Sequence, residues 1–281
     1  MNDREECKLI ILEGKVREVH IFEHMEKFFF RKEKIKYINL PAEQNIYMLW
    51  QKLKADEFQT DLVEILRESL PSAKKLLEGI TRENIDEIYL FFDFDAQQNN
   101  LPQSKGVNIK DVVAEMLDTF NNETEAGKLY ISYPMIESLR DFSGKGCSTH
   151  SGNCYIETAN LSKYKHLSGA NNPIADIKKY KIDDWQKILK IFAMRLSCLF
   201  TFPKIISYEK YRQTASPITI FEKELEWFKQ GKTFILSAVP EFLLDYFKLS
   251  FWQSSIKGKK LNKQFCNRGN SIVANNSSNQ K

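Results

Sequence analysis

Continuously apolar runs, not alternating ones, mark the first half of this chain. Leu9-Ile10-Ile11-Leu12 and Ile88-Tyr89-Leu90-Phe91-Phe92 each predict a strand buried on both faces. Ile35 to Leu40 predicts a shorter strand stopped by Pro41, and Leu129 to Tyr133 predicts another ended by Pro134. Between these runs the period becomes helical. Val19, Phe22, Glu23 and Glu26 fall at helical spacing within residues 16–30. Leu62, Ile65, Leu66 and Leu70 share one face of a helical stretch over 43–69, and Pro71 breaks it. Ile109, Val112, Val113, Met116, Leu117 and Phe120 make the clearest apolar stripe. Strands alternating with helices imply right-handed crossovers and a mainly parallel sheet, the α/β class.

The second half has another character. Residues 143–170 are rich in Gly, Ser, Asn and Cys and predict a loop or insertion. Asp183-Asp184 would cap an apolar helix running through Trp185, Ile188, Leu189, Phe192, Leu196 and Leu199. Ser216-Pro217 predicts a helix start, and Gly231 its stop. Phe234 to Val239 predicts one more buried strand, followed by a short helix over Glu241 to Phe247. The expected organisation is an α/β domain over 1–142, an insertion with a mostly helical C-terminal part over 143–250, and a tail over 251–281. That tail is basic, Asn/Ser-rich and without periodicity, which predicts disorder.

Composition narrows the class. A chain of 281 residues with 42% hydrophobic and 12% aromatic content buries a substantial core. No apolar run is long enough to span a bilayer, and the charged start Met1-Asn2-Asp3-Arg4-Glu5-Glu6 lacks a signal-peptide core, so no membrane partner and a cytoplasmic location are expected. Five scattered cysteines suit reduced thiols better than a disulfide framework. The net charge of +4 permits a nucleic-acid partner without demanding one.

The chemistry lies at the strand ends. Glu13 closes the first apolar run and precedes Gly14; Asp93 and Asp95 close the long one. Parallel strands present such residues at their carboxyl ends, where loops open onto a crevice. Crowded carboxylates repel unless a cation neutralises them, and an all-oxygen set suits Mg2+ or Mn2+.

Leu12-Glu13-Gly14-Lys15 after one strand and Phe92-Asp93-Phe94-Asp95 ending another resemble the Toprim fold. That family includes topoisomerases, bacterial primases, and the OLD-type and related nucleases of anti-phage systems. The resemblance covers residues 8–140. It implies a Mg2+ site with Glu13 as general acid/base or ligand and Asp93 and Asp95 as ligands. Relatives often carry a second acid four residues after the glutamate; here that position is Arg17, and the nearest acid is Glu18. Ser132-Tyr133-Pro134-Met135-Ile136-Glu137 resembles an Asn-Pro-x-x-Glu segment of small Toprim-like proteins encoded beside ATPases, which implies Glu137 as a fourth acid and an ATPase partner. The function so implied is a metal-dependent nuclease of DNA or RNA acting in bacterial anti-phage defence. Lys15, Arg17 and Lys105 are the basic residues nearest in sequence for holding a phosphate backbone.

Rival readings accompany each feature. Glu18 and Glu23 fit a solvated helix face. Cys147, His150, Cys154 and His166 carry zinc-type donors at a spacing that matches no finger, so a loop of free thiols is the simpler reading. His20 and His24 lie one turn apart and read as packing or surface residues. A catalytically degenerate Toprim module would serve as a sensor or scaffold. A HAD-like phosphotransferase shares the Asp-x-Asp strand end, but Gln97 stands where that family carries Thr or Val.

Overall fold

A computed structural model describes residues 7–13, 17–31, 33–39, 46–94, 108–141, 154–169 and 176–256. Lys15, Asp95, Lys105, Cys147, His150, the polar loop over 96–106 and the tail beyond residue 256 lie outside those residues, as does the side chain of Arg17.

Strand β1 (Cys7–Leu12) is buried along its whole length, as a continuously apolar run requires. It pairs in parallel with β2 (Ile35–Asn39) on one side and β3 (Ile85–Asp93) on the other. A short strand β4 (Asn121–Asn122) runs antiparallel to β5 (Gly127–Ser132), and β5 pairs in parallel with β3. The order across the sheet is β2-β1-β3-β5-β4, mostly parallel and flanked by helices. Gly127 enters β5 at φ +111°, where a Cβ would stand 2.7 Å from Leu90 Cδ1, so backbone and space both demand glycine.

Alternation along β3 sorts the layers. Helix α1 (Arg17–Phe29) covers the face of Tyr89 and Phe91, with Phe22 meeting the Phe91 ring edge-on at 4.5 Å. The opposite face takes α2 (Ile46–Ala55), where Tyr47 meets Phe92 at 4.9 Å. Where a single helical stretch is expected over 43–69, the chain turns at Asp56–Thr60, with Glu57 and Phe58 at positive φ. Helix α3 (Leu62–Ser69) then starts afresh on an Asp61 cap whose carboxylate accepts from Val63 N–H at 2.7 Å. Pro71 marks the break as expected, α3 ending at Ser69 and Leu70 standing extended between the helices, and it opens α4 (Pro71–Leu76), a placement that its missing N–H favours. Helix α5 (Ile109–Thr119), capped by Asn108, buries Val112, Val113, Met116 and Leu117 of the predicted stripe, with Phe120 buried just after it.

The described part of the predicted 143–170 loop has regular structure. It holds β6 (Tyr155–Glu157) and α6 (Leu161–Leu167). Helices α7 (Ile182–Leu199), α8 (Tyr208–Thr214) and α9 (Pro217–Phe228) follow, and Asp184 accepts from Lys181 N–H at 2.9 Å at the start of α7. The strand expected over 234–239 falls earlier and is shorter: β7 (Lys232–Phe234) pairs antiparallel with β6, and α10 (Ala238–Ile256), kinked at Lys248 where φ is +59°, begins two residues after a bridge from Leu236 to Tyr133. Pro240 falls in the first turn of α10, where a proline suits a helix better than a buried strand. Phe242 of α10 meets Tyr89, Phe91 and Tyr130 at 4.8, 5.5 and 5.7 Å, so the last helix shares the sheet's own core. Among the described residues, no helix is long and apolar enough to cross a membrane.

Candidate functional site

Parallel pairing sets the site. Leu12 stands opposite Phe91 in the β1–β3 register, so Glu13 emerges beside the last residues of β3. The Asp93 backbone N–H donates to Glu13 Oε2 at 3.3 Å, joining residues 80 apart in the chain. Asp93 in turn faces Ser132, the last residue of β5. Four residues later the chain bends into a 3-10 turn over Ile136–Arg140, and the Ile136 N–H reaches back to the Asp93 carboxylate. Three segments therefore meet at the carboxyl edge of the sheet.

Burial dominates the electrostatics there. It raises Glu13 to about 7, against the pull of the Asp93 N–H and with a further push from the Glu18 charge. Asp93 is raised well above the ordinary carboxylate range, first by burial, then by Glu18, Glu13 and Glu137, while Ile136 N–H opposes them. Glu137 is 5% exposed, and its Oε1 lies 3.8 Å from Lys165 Nζ. The Lys165 side chain is 69% exposed, so the pair reaches from the interior to solvent.

The sheet edge thus brings together Glu13, Asp93 and Glu137 from the predicted set. Asp95 lies outside the described residues, and so do Lys15 and Lys105. Glu18, expected on a solvated face, instead acts on both Glu13 and Asp93, whereas Glu23 is exposed. Sequence reading missed Lys165, which arrives from α6, and Tyr47, whose phenol is raised by burial and then by the Glu13 charge. No local pattern marks either one. Behind Glu137, Tyr164 donates to Asp141 Oδ2 at 3.0 Å, and buried Arg195 stands 3.4 Å from Asp141 Oδ1. That network anchors the 3-10 turn from below.

Among the described residues, no three His, Cys, Asp or Glu side chains gather as a metal-binding group. The donor chemistry still fits Mg2+, which keeps several waters and is commonly held by one or two carboxylates plus substrate phosphates, without an all-protein cage. Of the zinc candidates, Cys154 is buried and in no disulfide, and His166 lies in the last turn of α6. His24 is buried against Trp185, and burial lowers its pKa, which makes it a packing residue. Helix α1 carries it there.

No protein-family model, no curated protein and no solved structure matches this chain. What its fold and site define is a mostly parallel α/β protein with carboxylates crowded at the carboxyl ends of adjacent strands.

Proposed function

We propose that this protein is a Toprim-like, Mg2+-dependent nuclease that hydrolyses phosphodiester bonds in DNA or RNA. One observation carries the reading: Glu13 and Asp93, from strands 80 residues apart, share a hydrogen bond and repel neighbouring acids at one sheet edge. Like charges held together in this way are stable either as protonated acids or beside a cation. Glu13 and Asp93 would hold a divalent ion, with Asp95 the expected further ligand. Such an ion supplies charge neutralisation and polarisation at the phosphoryl group.

The chain's own residues then have distinct tasks. In the metal-free protein Glu13, raised to about 7, keeps its proton up to near-neutral pH and would release it when a cation binds. The Asp93 backbone N–H fixes the Glu13 carboxylate, and the Ile136 N–H fixes Asp93. Lys165 holds positive charge beside Glu137 at the solvent-facing rim. Action beside an ATPase in anti-phage defence follows from the resemblance alone.

Purified protein is expected to cleave a nucleic acid in Mg2+ or Mn2+ and to lose that cleavage as Asp93→Ala. Undiminished cleavage in the variant would show that the assigned site is wrong. Metal binding and complex formation without any cleavage would instead favour the degenerate, scaffolding module.

A further inference from the structure

Several lysines of this protein are neutralised by carboxylates: Lys54 by Glu115, Lys128 by Asp245, Lys187 by Asp184 and Lys223 by Glu226. Lys110 and Lys232 are placed differently. Lys110 Nζ stands 5.2 Å from the ring centroid of Phe228, and Lys232 Nζ stands 4.6 Å from that of Tyr155 and 5.9 Å from that of Trp227. Glu157 lies directly opposite Lys232 in the β6–β7 register without capturing its ammonium. The three rings are half-buried, so each keeps some surface toward solvent.

The elements that carry this row connect to the edge that carries the acids. Lys110 is the second residue of α5, and a helix crossing between parallel strands begins at their carboxyl ends. On α9, Phe221 touches Phe94 at 5.3 Å, directly after Asp93 in the chain. Phe228 lies about 10 Å farther along the same helix at 1.5 Å per residue. The β6–β7 pair is fastened to the end of β5 through the Tyr133–Leu236 bridge.

We infer that Lys110, Phe228, Trp227, Tyr155 and Lys232 form the surface that guides a single-stranded nucleic acid to the acid cluster, an inference that rests on the nuclease reading above. An ammonium held over a ring loses little freedom when it meets a phosphate, and among the described residues neither Lys110 nor Lys232 forms an ion pair with a carboxylate. Half-exposed rings stack on unpaired bases, whereas a duplex hides its base faces. Cation and ring together therefore select a single strand.

The test is anisotropy of a labelled oligonucleotide, single-stranded or annealed to its complement, in EDTA so that nothing is cut. The single strand should bind more tightly than the duplex. Lys110→Gln and Lys232→Gln should each weaken binding and lower the slope of log K against log salt by about 0.7. Trp227→Ala should cost roughly five- to hundredfold in affinity, and Trp227→Phe, which keeps the ring, should recover most of it. Unchanged binding in both lysine variants, or equal affinity for duplex, overturns the inference. The two readings fail separately. If the lysine variants bind normally while Asp93→Asn has lost cleavage, this surface is wrong and the nuclease reading stands. If they bind weakly but no metal elicits cleavage from the parent protein, the surface stands and the nuclease reading falls.

Discussion

Carboxyl groups are pushed upward in two places, by different means. At the sheet edge, burial and like charge act together on Asp93, with Glu18, Glu13 and Glu137 all contributing. In the helical layer, burial raises Glu224, and the Phe234 N–H that one of its oxygens accepts at 3.1 Å opposes the rise. Glu241 is raised to about 8 by burial and Asp245, with Lys128 opposing. A raised carboxyl therefore does not by itself mark a site. Acids arriving from separate segments at a strand-end opening do.

The largest expected effect separates the two regions outright. Asp93→Asn should lower metal-dependent cleavage by more than about a hundredfold, since losing a ligand exceeds the tenfold to hundredfold typical of an outer-shell partner. Glu224→Gln, which mimics the protonated acid already present, should leave cleavage unchanged. Equal losses in the two variants, measured as initial rates in Mn2+, would erase the distinction.

Stability against pH gives the next effect. A carboxyl raised in the folded state holds a proton that the unfolded chain has released, so stability falls as pH rises between the two pKa values. For Glu241 that window runs from 4.5 to about 8, and for Glu13 from 4.5 to about 7. Each group contributes a loss of about 1.4 kcal/mol per pH unit within its window. Metal-free protein should thus keep losing stability between pH 7 and 8, with Glu241 one of the contributors beside Asp93 and Glu224, and Glu241→Gln should make that part of the curve shallower in urea titrations. A slope left unchanged by the substitution would assign Glu241's share elsewhere.

A divalent ion should act on only one of the two regions. At a concentration a hundredfold above its dissociation constant it adds about 2.7 kcal/mol of stability. The gain should persist in Glu241→Gln and vanish in Glu13→Gln, as read from thermal melts at pH 7.5 with and without Mn2+.

How much of this was legible follows from what each element depends on. Strands β1 and β3 announce themselves because burial on both faces leaves an unbroken apolar run, and their ends place Glu13 and Asp93 correctly. The turn at Asp56–Thr60 was hidden because neither Gly nor Pro marks it; Glu57 and Phe58 take positive φ instead. Strand β6 and helix α6 are too short for a period to show above a Gly- and Ser-rich background. Glu18 and Lys165 escaped for a different reason. Their roles depend on how helices dock against the sheet edge, and local spacing carries nothing about that. Sequence can place an acid on a helix face, but only packing decides whether that face meets solvent or another acid.

Glu18 gives the smallest effect and the finest test of the comparison. Its charge is the strongest of the like charges acting on Asp93, and it also pushes on Glu13. Glu18→Gln should therefore ease deprotonation of both acids, because the repulsion opposing their charged forms is reduced. Metal binding displaces those protons, so the midpoint of Mn2+ stabilisation against pH should move downward by a fraction of a unit. The same change removes an acid from the first turn of α1, which should cost about 0.3–1 kcal/mol through the helix dipole. A plain solvated-face residue would show only that second loss. The two outcomes separate because a dipole contribution lowers stability with or without metal, whereas a charge acting on the site shifts the pH at which metal binds.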